Sequence, residues 1–221
     1  GAMLGCVAVL EDISYLRELD RLKNEFIGVA SHELRTPVTS LLLGAQLLQE
    51  GAAGPLNEQQ AQIVNTQRED LERLHALMQE LLDMSRLEAG SAPPRFELIR
   101  PSDLVAHAVR GVQAKAEDKG VSLEQAVQPD LPAVRADKNQ IDRVLVNLLD
   151  NAIRHTAAGG KVCVRAIQDK DHVTFRVEDT GEGIPKEYLD RIFDRFVQVP
   201  GATQGGAGLG LAIVQTIVKA H

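Results

Sequence analysis

The sequence predicts an α+β protein: an antiparallel helical hairpin that dimerises into a four-helix bundle, followed by an α/β sandwich. Three observations lead there. Apolar residues recur every three or four positions from residue 14 to about 50 and again from about 57 to 89, with Gly51-Ala-Ala-Gly54-Pro55 between the runs. Each run carries a wider apolar stripe than one neighbouring helix covers, and such a hairpin usually pairs with a copy of itself. After Pro94 the texture changes to β-like runs alternating with helical segments, and helices set between antiparallel strand pairs suggest a sandwich rather than a doubly wound sheet.

Composition narrows the function classes. The 221 residues carry a formal charge of -7, which argues against nucleic acid or an anionic membrane as the main partner. Aromatics make up only 3% and Trp is absent, so the cores must be aliphatic. Cys6 and Cys163 stand far apart, without the spacing of a disulfide framework or a zinc site, and a reducing compartment is the default. No apolar run reaches the ~18 residues of a membrane span. The fragment reads as cytoplasmic and not membrane-embedded.

In chain order, Gly1-Ala2-Met3 reads as a tag remnant. Gly5 to Leu10 is β-like, too short to fold alone, and ends at Glu11-Asp12-Ile13-Ser14, so it reads as the last strand of an upstream module. The first helix is expected from Ser14 to Glu50 on Leu16, Leu19, Leu22, Phe26, Val29 (or Ala30), Leu34, Val38, Leu41, Ala45 and Leu48. The second is expected from Asn57, its N-cap, to Ala89, with a seam of Ile63, Gln67, Leu71, Leu74, Met78 and Leu81. Gly90 stops it, and Ser91 to Pro94 form a linker. A strand over Phe96 to Ile99 and a helix from Asp103 to Lys119, capped by Ser102 and ended by Gly120, come next. Val121 to Val127 is a strand and Ala133 to Ala136 a short extended piece. Asp137 with Gln140 makes a capping box for a helix from Lys138 to His155. Val162 to Ile167 and Val173 to Glu178 form a hairpin, followed by helical turns over 186–196, a loop from Val199 to Gly206 and a last helix from Gly208 to Lys219.

Four stretches carry candidate chemistry. Ser31-His32-Glu33-Leu34-Arg35-Thr36-Pro37 sets a histidine inside the first helix. A lone histidine there is ordinarily a solvated one, but Thr36 shares its face one turn on. Pro37 withholds the N–H that the Glu33 carbonyl needs, so a bend is expected beside His32. Gly28, Ala30 and Ser31 keep the preceding turn slim, so His32 is presented to an approaching body. In the second half, Asn147 and Asn151 stack at i and i+4, with Arg154 and His155 one turn further. Two amide oxygens on one face suit a hard cation such as Mg²⁺, which takes few protein ligands alongside phosphates. Glu178-Asp179-Thr180-Gly181-Glu182-Gly183 puts a carboxylate at a strand end before a glycine-broken turn, where an acid can accept a hydrogen bond from an exocyclic amine. Gly205-Gly206-Ala207-Gly208-Leu209-Gly210 opens the last helix, exposing backbone N–H groups that suit phosphate oxygens. Neither a dinucleotide fingerprint nor a P-loop is present, and Thr36 stands where a zincin needs its second histidine.

Taken in order, His-Glu-x-x-Thr-Pro, Asn147-Leu-Leu-Asp-Asn151, Asp179-x-Gly-x-Gly183, Ile192-Phe-Asp-Arg-Phe196 and Gly206-x-Gly-Leu-Gly resemble the H, N, G1, F and G2 boxes of the sensor histidine kinases of two-component systems. The resemblance runs from about Asp12 to the C-terminus. It implies a dimerisation and phosphoacceptor hairpin over 13–90, a linker over 91–94 and a Bergerat-type (GHKL) ATP-binding domain over 95–221. Residues 1–12 then hold the tag remnant and the end of a PAS-like sensor, whose full-length protein would be anchored in the bacterial inner membrane.

The resemblance implies that His32 attacks the γ-phosphate of ATP, with Glu33 holding the other ring nitrogen as base. Asn147 and Asn151 would bind Mg²⁺, Asp179 would read the adenine amine, and Gly181 and Gly183 would shape its pocket. Gly206, Gly208, Leu209 and Gly210 would line the phosphates beside a lid over 198–206, with Arg154 and Arg195 as nearby cations. Thr36 would orient a water for removing phosphate from a response regulator, giving a bifunctional kinase and phosphatase that works as a homodimer on a regulator's receiver domain. The family's last helix is normally followed by two more strands; here the sequence stops at His221, so an incomplete ATP-binding sheet is expected. That leaves, as the alternative, a non-catalytic dimeric scaffold that binds a regulator through an impaired nucleotide domain.

Overall fold

The computed structural model describes residues 12, 14–88, 93–199 and 208–221, with residues 16, 17, 20, 23–26, 31, 32 and 88, His32 among them, described by their backbone alone. The strand expected over Gly5 to Leu10, the stop at Gly90 and most of the expected lid, including Gly206, lie outside the described residues. The chain divides into two compact units, Gly1–Ala89 and Gly90–His221. No helix among the described residues is long and apolar enough to cross a membrane.

In the first unit, α1 (Ser14–Gln49) and α2 (Glu58–Glu88) form the hairpin. α1 ends where the N–H groups of Gly51 and Ala52 return to the carbonyls of Leu48 and Leu47 at 3.1 and 3.0 Å. Gly51 and Gly54 make the turn at φ 79° and 100°, values that favour glycine. α2 opens on a reciprocal cap: Asn57 Oδ1 accepts from the Gln60 N–H at 2.9 Å, and Gln60 Oε1 accepts from the Asn57 N–H at 3.0 Å. α1 continues through Pro37. Val38, Ala45, Val64, Met78, Leu82 and Met84 are buried, and Arg35 donates to Gln79 Oε1 across the pair at 3.1 Å. The buried seam is thus narrower than the apolar stripe. Val64 is buried where Ile63 was expected, and Leu34, Leu41 and Leu48 stay exposed at seven-residue spacing.

In the second unit, β1 (Glu97–Ile99) pairs antiparallel with β3 (Val134–Ala136). β2 (Ser122–Val127), β4 (Lys161–Asp169) and β5 (His172–Asp179) form a three-stranded sheet in the order β2-β4-β5. β4 runs antiparallel to β5, as the expected hairpin requires, and parallel to β2. A parallel neighbour needs a long crossover, and the run through β3 and α4 (Lys138–His155) supplies it. α3 (Pro101–Lys119) begins two residues before its expected start, with Arg100 rather than Ser102 at the cap position and Pro101 in the first turn, where its missing N–H costs nothing. Gly120 ends α3 at φ 69°. The core lies between α3, α4 and the sheet: Leu104, Val105 and Ala108 of α3, Leu149 and Ile153 of α4, and Val162, Val164 and Ala166 of β4 are fully buried. α5 (Gly210–Ala220) buries Ala212, Ile213, Val214 and Ile217 and packs on α4.

One polar junction ties this unit together. Asp137 is buried at the N-terminus of α4, and its carboxylate accepts from the backbone N–H of Arg95 at 2.7 Å and of Gln140 at 3.1 Å. The expected capping box is half realised, because the Asp137 N–H does not return to the Gln140 side chain. It donates instead to His221 Nε2 at 3.1 Å, while His221 Nδ1 faces the Ile217 carbonyl at 2.9 Å. An N–H donor on one side and a carbonyl acceptor on the other fix the His221 tautomer: Nδ1 carries the proton and Nε2 accepts. Burial alone raises the pKa of Asp137, but the N–H groups of Arg95, Gln140 and Asn139 outweigh it and hold the carboxyl below its ordinary value of 3.8. A depressed carboxyl stabilises fully above that value and loses its contribution as pH falls through the lower folded-state pKa. Asp137→Ala should therefore cost about 1–3 kcal/mol in urea unfolding near neutral pH, with the difference from the parent chain shrinking in the acid range below pH 3.8. Amide exchange should show the Arg95 and Gln140 N–H groups losing protection.

Candidate functional site

α4 supplies the floor of the site. Its 3.6-residue period puts Asn147, Asn151 and Arg154 on one face, and Leu145, Leu149 and Ile153 on the face turned into the core. Asn147 and Asn151 are both half-buried. The Asn147 amide nitrogen lies 3.5 Å from the carbonyl of Gly210, at the outer limit of a hydrogen bond, and leaves the amide oxygen available. Asn151 has no side-chain hydrogen bond among the described residues, which is unusual for a half-buried amide and suits a group that binds from outside.

Arg154, expected as a cation near the phosphates, is held in an ion pair. Its guanidinium pairs with Asp150 at 2.6 Å one turn back, and Asp150 also takes Lys115 of α3. One carboxylate between two cations leaves the cluster with a net positive charge, set beside Asn147 and Asn151. The Asp150–Arg154 pair is a local i, i+4 contact, whereas the Lys115 partner lies 35 residues away in sequence.

The loop after β5 closes on the far end of α4. Strand alternation separates the two acids at its start: Glu178 pairs with Arg165 of β4 at 2.9 Å, whereas Asp179 accepts the Gly181 N–H at 2.9 Å on one carboxylate oxygen. The other Asp179 oxygen has no hydrogen-bond partner among the described residues. Gly181 is required by space, since a Cβ there would lie 2.5 Å from the His155 carbonyl oxygen. Gly183 is required by its backbone, at φ 72°. Glu182 donates its N–H to the His155 carbonyl at 3.4 Å, and its Oε1 lies 2.8 Å from His155 Nδ1.

At the other end, Leu209 is buried and Gly210 begins α5 beside Asn147. Gly208, at φ 70°, meets the chain backbone to backbone: it accepts the Phe196 N–H at 2.9 Å, and a Cβ would come within 2.8 Å of the Val197 carbonyl. The stretch with Arg195, which is exposed, is thereby drawn to the start of α5. The α4 face is bracketed by the Asp179–Gly183 loop at one end and by Gly208 to Gly210 along its length. His32, Glu33 and Thr36 belong to the other unit, on α1, where Glu33 and Thr36 are exposed.

Residues 136–221 match the family model of histidine kinase-, DNA gyrase B- and HSP90-like ATPases, and residues 22–90 match that of the His Kinase A (phospho-acceptor) domain. The chain belongs to the sensor histidine kinases. The alginate biosynthesis sensor protein KinB of Pseudomonas aeruginosa is 39% identical over 221 residues, all of this chain and 37% of that protein. Among solved structures, full-length ShkA in complex with AMPPNP superposes with a TM-score of 0.74 at 32% identity, over 89% of this chain and 41% of that one. The mycobacterial sensor histidine kinase MprB is 31% identical with a TM-score of 0.51, over 57% of this chain and 80% of that one. The chain thus spans little more than a third of the length of KinB. In family terms, the fold is a helical phospho-acceptor region followed by an α/β ATPase domain.

The loop geometry gives a test. Gly181→Ala should cost about 1–3 kcal/mol through overpacking against the α4 terminus and should shift the NMR signals of the His155 ring. Gly183→Ala faces open space; it should leave those signals in place and cost about 1–2 kcal/mol through its left-handed backbone.

Proposed function

We propose that this chain is the core of a two-component kinase that moves the γ-phosphoryl group of ATP to His32 and from there to an aspartate of a response regulator. The observation that carries the reading is the convergence on α4: two half-buried amides, a net positive cluster, a carboxylate loop and a glycine-rich helix start surround one helix face. Adenine suits the Asp179 side, where the carboxylate oxygen without a protein partner accepts from the exocyclic amine. The polyphosphate suits the side with Asn147, Arg154 and the N-terminus of α5, where backbone N–H groups and cations favour anions. Arg195 joins this set from the segment pinned at Gly208, and Gly206 and Leu209 continue it.

The residues fit a divalent cation of the Mg²⁺ kind, for which Asn147 and Asn151 offer amide oxygens and leave the remaining positions to phosphate and water. Such an ion supplies neutralisation of the phosphate charge. The chain's own work is positioning and electrostatics, as phosphoryl transfer requires. A ring nitrogen of His32 forms the N–P bond as the bond from γ-phosphorus to the ADP oxygen breaks, and Glu33 takes the proton of the other ring nitrogen. Thr36, exposed one turn after His32, is placed to orient a water against a phosphorylated regulator at the same face. On this reading the domains run over 13–90 and 95–221, joined by 91–94. The exposed Leu34, Leu41 and Leu48, at heptad spacing, support pairing of two hairpins into a four-helix bundle.

Incubation with γ-labelled ATP and Mg²⁺ should label the chain with an acid-labile phosphate, and His32→Gln should abolish the label. A chain that binds a regulator but takes no label would be the scaffold instead. Thr36→Ala should keep the label and lose regulator dephosphorylation at least about tenfold, the scale of a lost water-positioning contact. Equal loss of both activities would make Thr36 structural.

A further inference from the structure

We propose that His155 and Glu182 form a latch that holds the Asp179–Gly183 loop on the C-terminal end of α4 and so sets the affinity for the nucleotide. The proposal rests on reading that loop as the adenine site. Three contacts carry it. Glu182 Oε1 lies 2.8 Å from His155 Nδ1, the Glu182 N–H returns to the His155 carbonyl at 3.4 Å, and Gly181 packs so closely on that carbonyl that no side chain fits. A carboxylate only accepts, so Nδ1 of His155 carries the proton, and in the neutral ring Nε2 is the acceptor. His155 is the last residue of α4. The carbonyls there lack helical donors and the helix end is partly negative, which favours both the Glu182 N–H and the imidazole proton.

The loop has little else to hold it. Asp179 and Gly181 form a local turn, and Thr180 is tied to Lys161 on the neighbouring strand through its N–H and its hydroxyl. Those bonds anchor the start of the loop. Among the described residues of the loop, Glu182 is the one whose side chain hydrogen-bonds back to α4, from a position that is 50% exposed. Without the latch, the segment after Gly181 keeps its backbone freedom in the empty protein and must be ordered when a ligand binds. Ordering on binding weakens affinity without slowing the step that follows. His155 and Glu182 are therefore positioning residues, and their signature is a change in KM with kcat held.

The test is a double-mutant cycle on the whole 221-residue chain, with ADP binding read by calorimetry in Mg²⁺ and autophosphorylation read at varied ATP. Glu182→Ala and His155→Phe should each weaken ADP binding by about three- to tenfold, the range of a half-exposed charged hydrogen bond. The double variant should be no weaker than the poorer single one, because both remove the same contact. The kcat at saturating ATP should stay at the parent value. Independent, additive losses, unchanged ADP affinity in both singles, or a fall in kcat with KM unchanged would each overturn the latch. Asp179→Asn separates the two levels. If it abolishes ADP binding while the latch variants bind normally, the latch fails and the adenine reading stands. If it binds ADP like the parent, the adenine reading fails and the latch falls with it.

Discussion

The second unit depends on a buried carboxylate. Asp137 gathers the N–H groups of Arg95 and Gln140, and its own N–H goes to His221. Four pieces of chain meet there: the approach to β1, the end of β3, the start of α4 and the end of α5. Burying an anion is costly unless donors surround it, and here the donors are backbone groups that cannot swing away. The same bonds satisfy orphan donors in the first turn of α4. The helix that carries the site therefore starts from a fixed point.

From that point the other arrangements follow. α4 buries one stripe against the sheet and α3, which leaves its opposite face a fixed orientation. Asn147 and Asn151 inherit their direction from that packing, so their rotamers alone decide where the amide oxygens point. The neighbouring elements are then fitted around the helix: α5 with Gly210 beside Asn147, and the loop after β5 at its C-terminal end. Lys119 of α3 closes that end by donating to the carbonyls of Ile153 and Arg154. The site is thus assembled on one helix, with the 179–183 loop and the Gly208–Gly210 turn fitted to it.

Much of this was legible in the sequence because its signals are local. The i, i+4 spacing of Asn147 and Asn151, the Asp137 cap, the Asn57 N-cap and the glycine stop at Gly120 all operate within one helical turn. The glycine pattern of the 179–183 loop was legible too, although its steric reason was not, since the His155 carbonyl that excludes a side chain comes from another element. Partnerships across the fold left no trace: Asp150 with Lys115 lies 35 residues apart in sequence and His155 with Glu182 lies 27 apart. The direction of β2 was hidden because alternation reads the same for either sense of pairing. The sequence places the start of α3 at the Ser102 cap, but the helix begins at Pro101, whose backbone is already suited to the first turn. In the hairpin, Val64 displaced Ile63 since adjacent apolar residues leave the buried face undecided until the partner helix is present.

The close approach at Gly208 limits what position 208 can hold. The Phe196 N–H on the Gly208 carbonyl holds the residue just before α5 against the segment that carries Arg195. The φ of 70° there suits glycine, and one added methyl would meet the Val197 carbonyl oxygen at 2.8 Å and the Phe196 backbone at 2.9 Å. The start of α5 is thus fixed by an excluded volume the size of a single carbon atom rather than by a side chain.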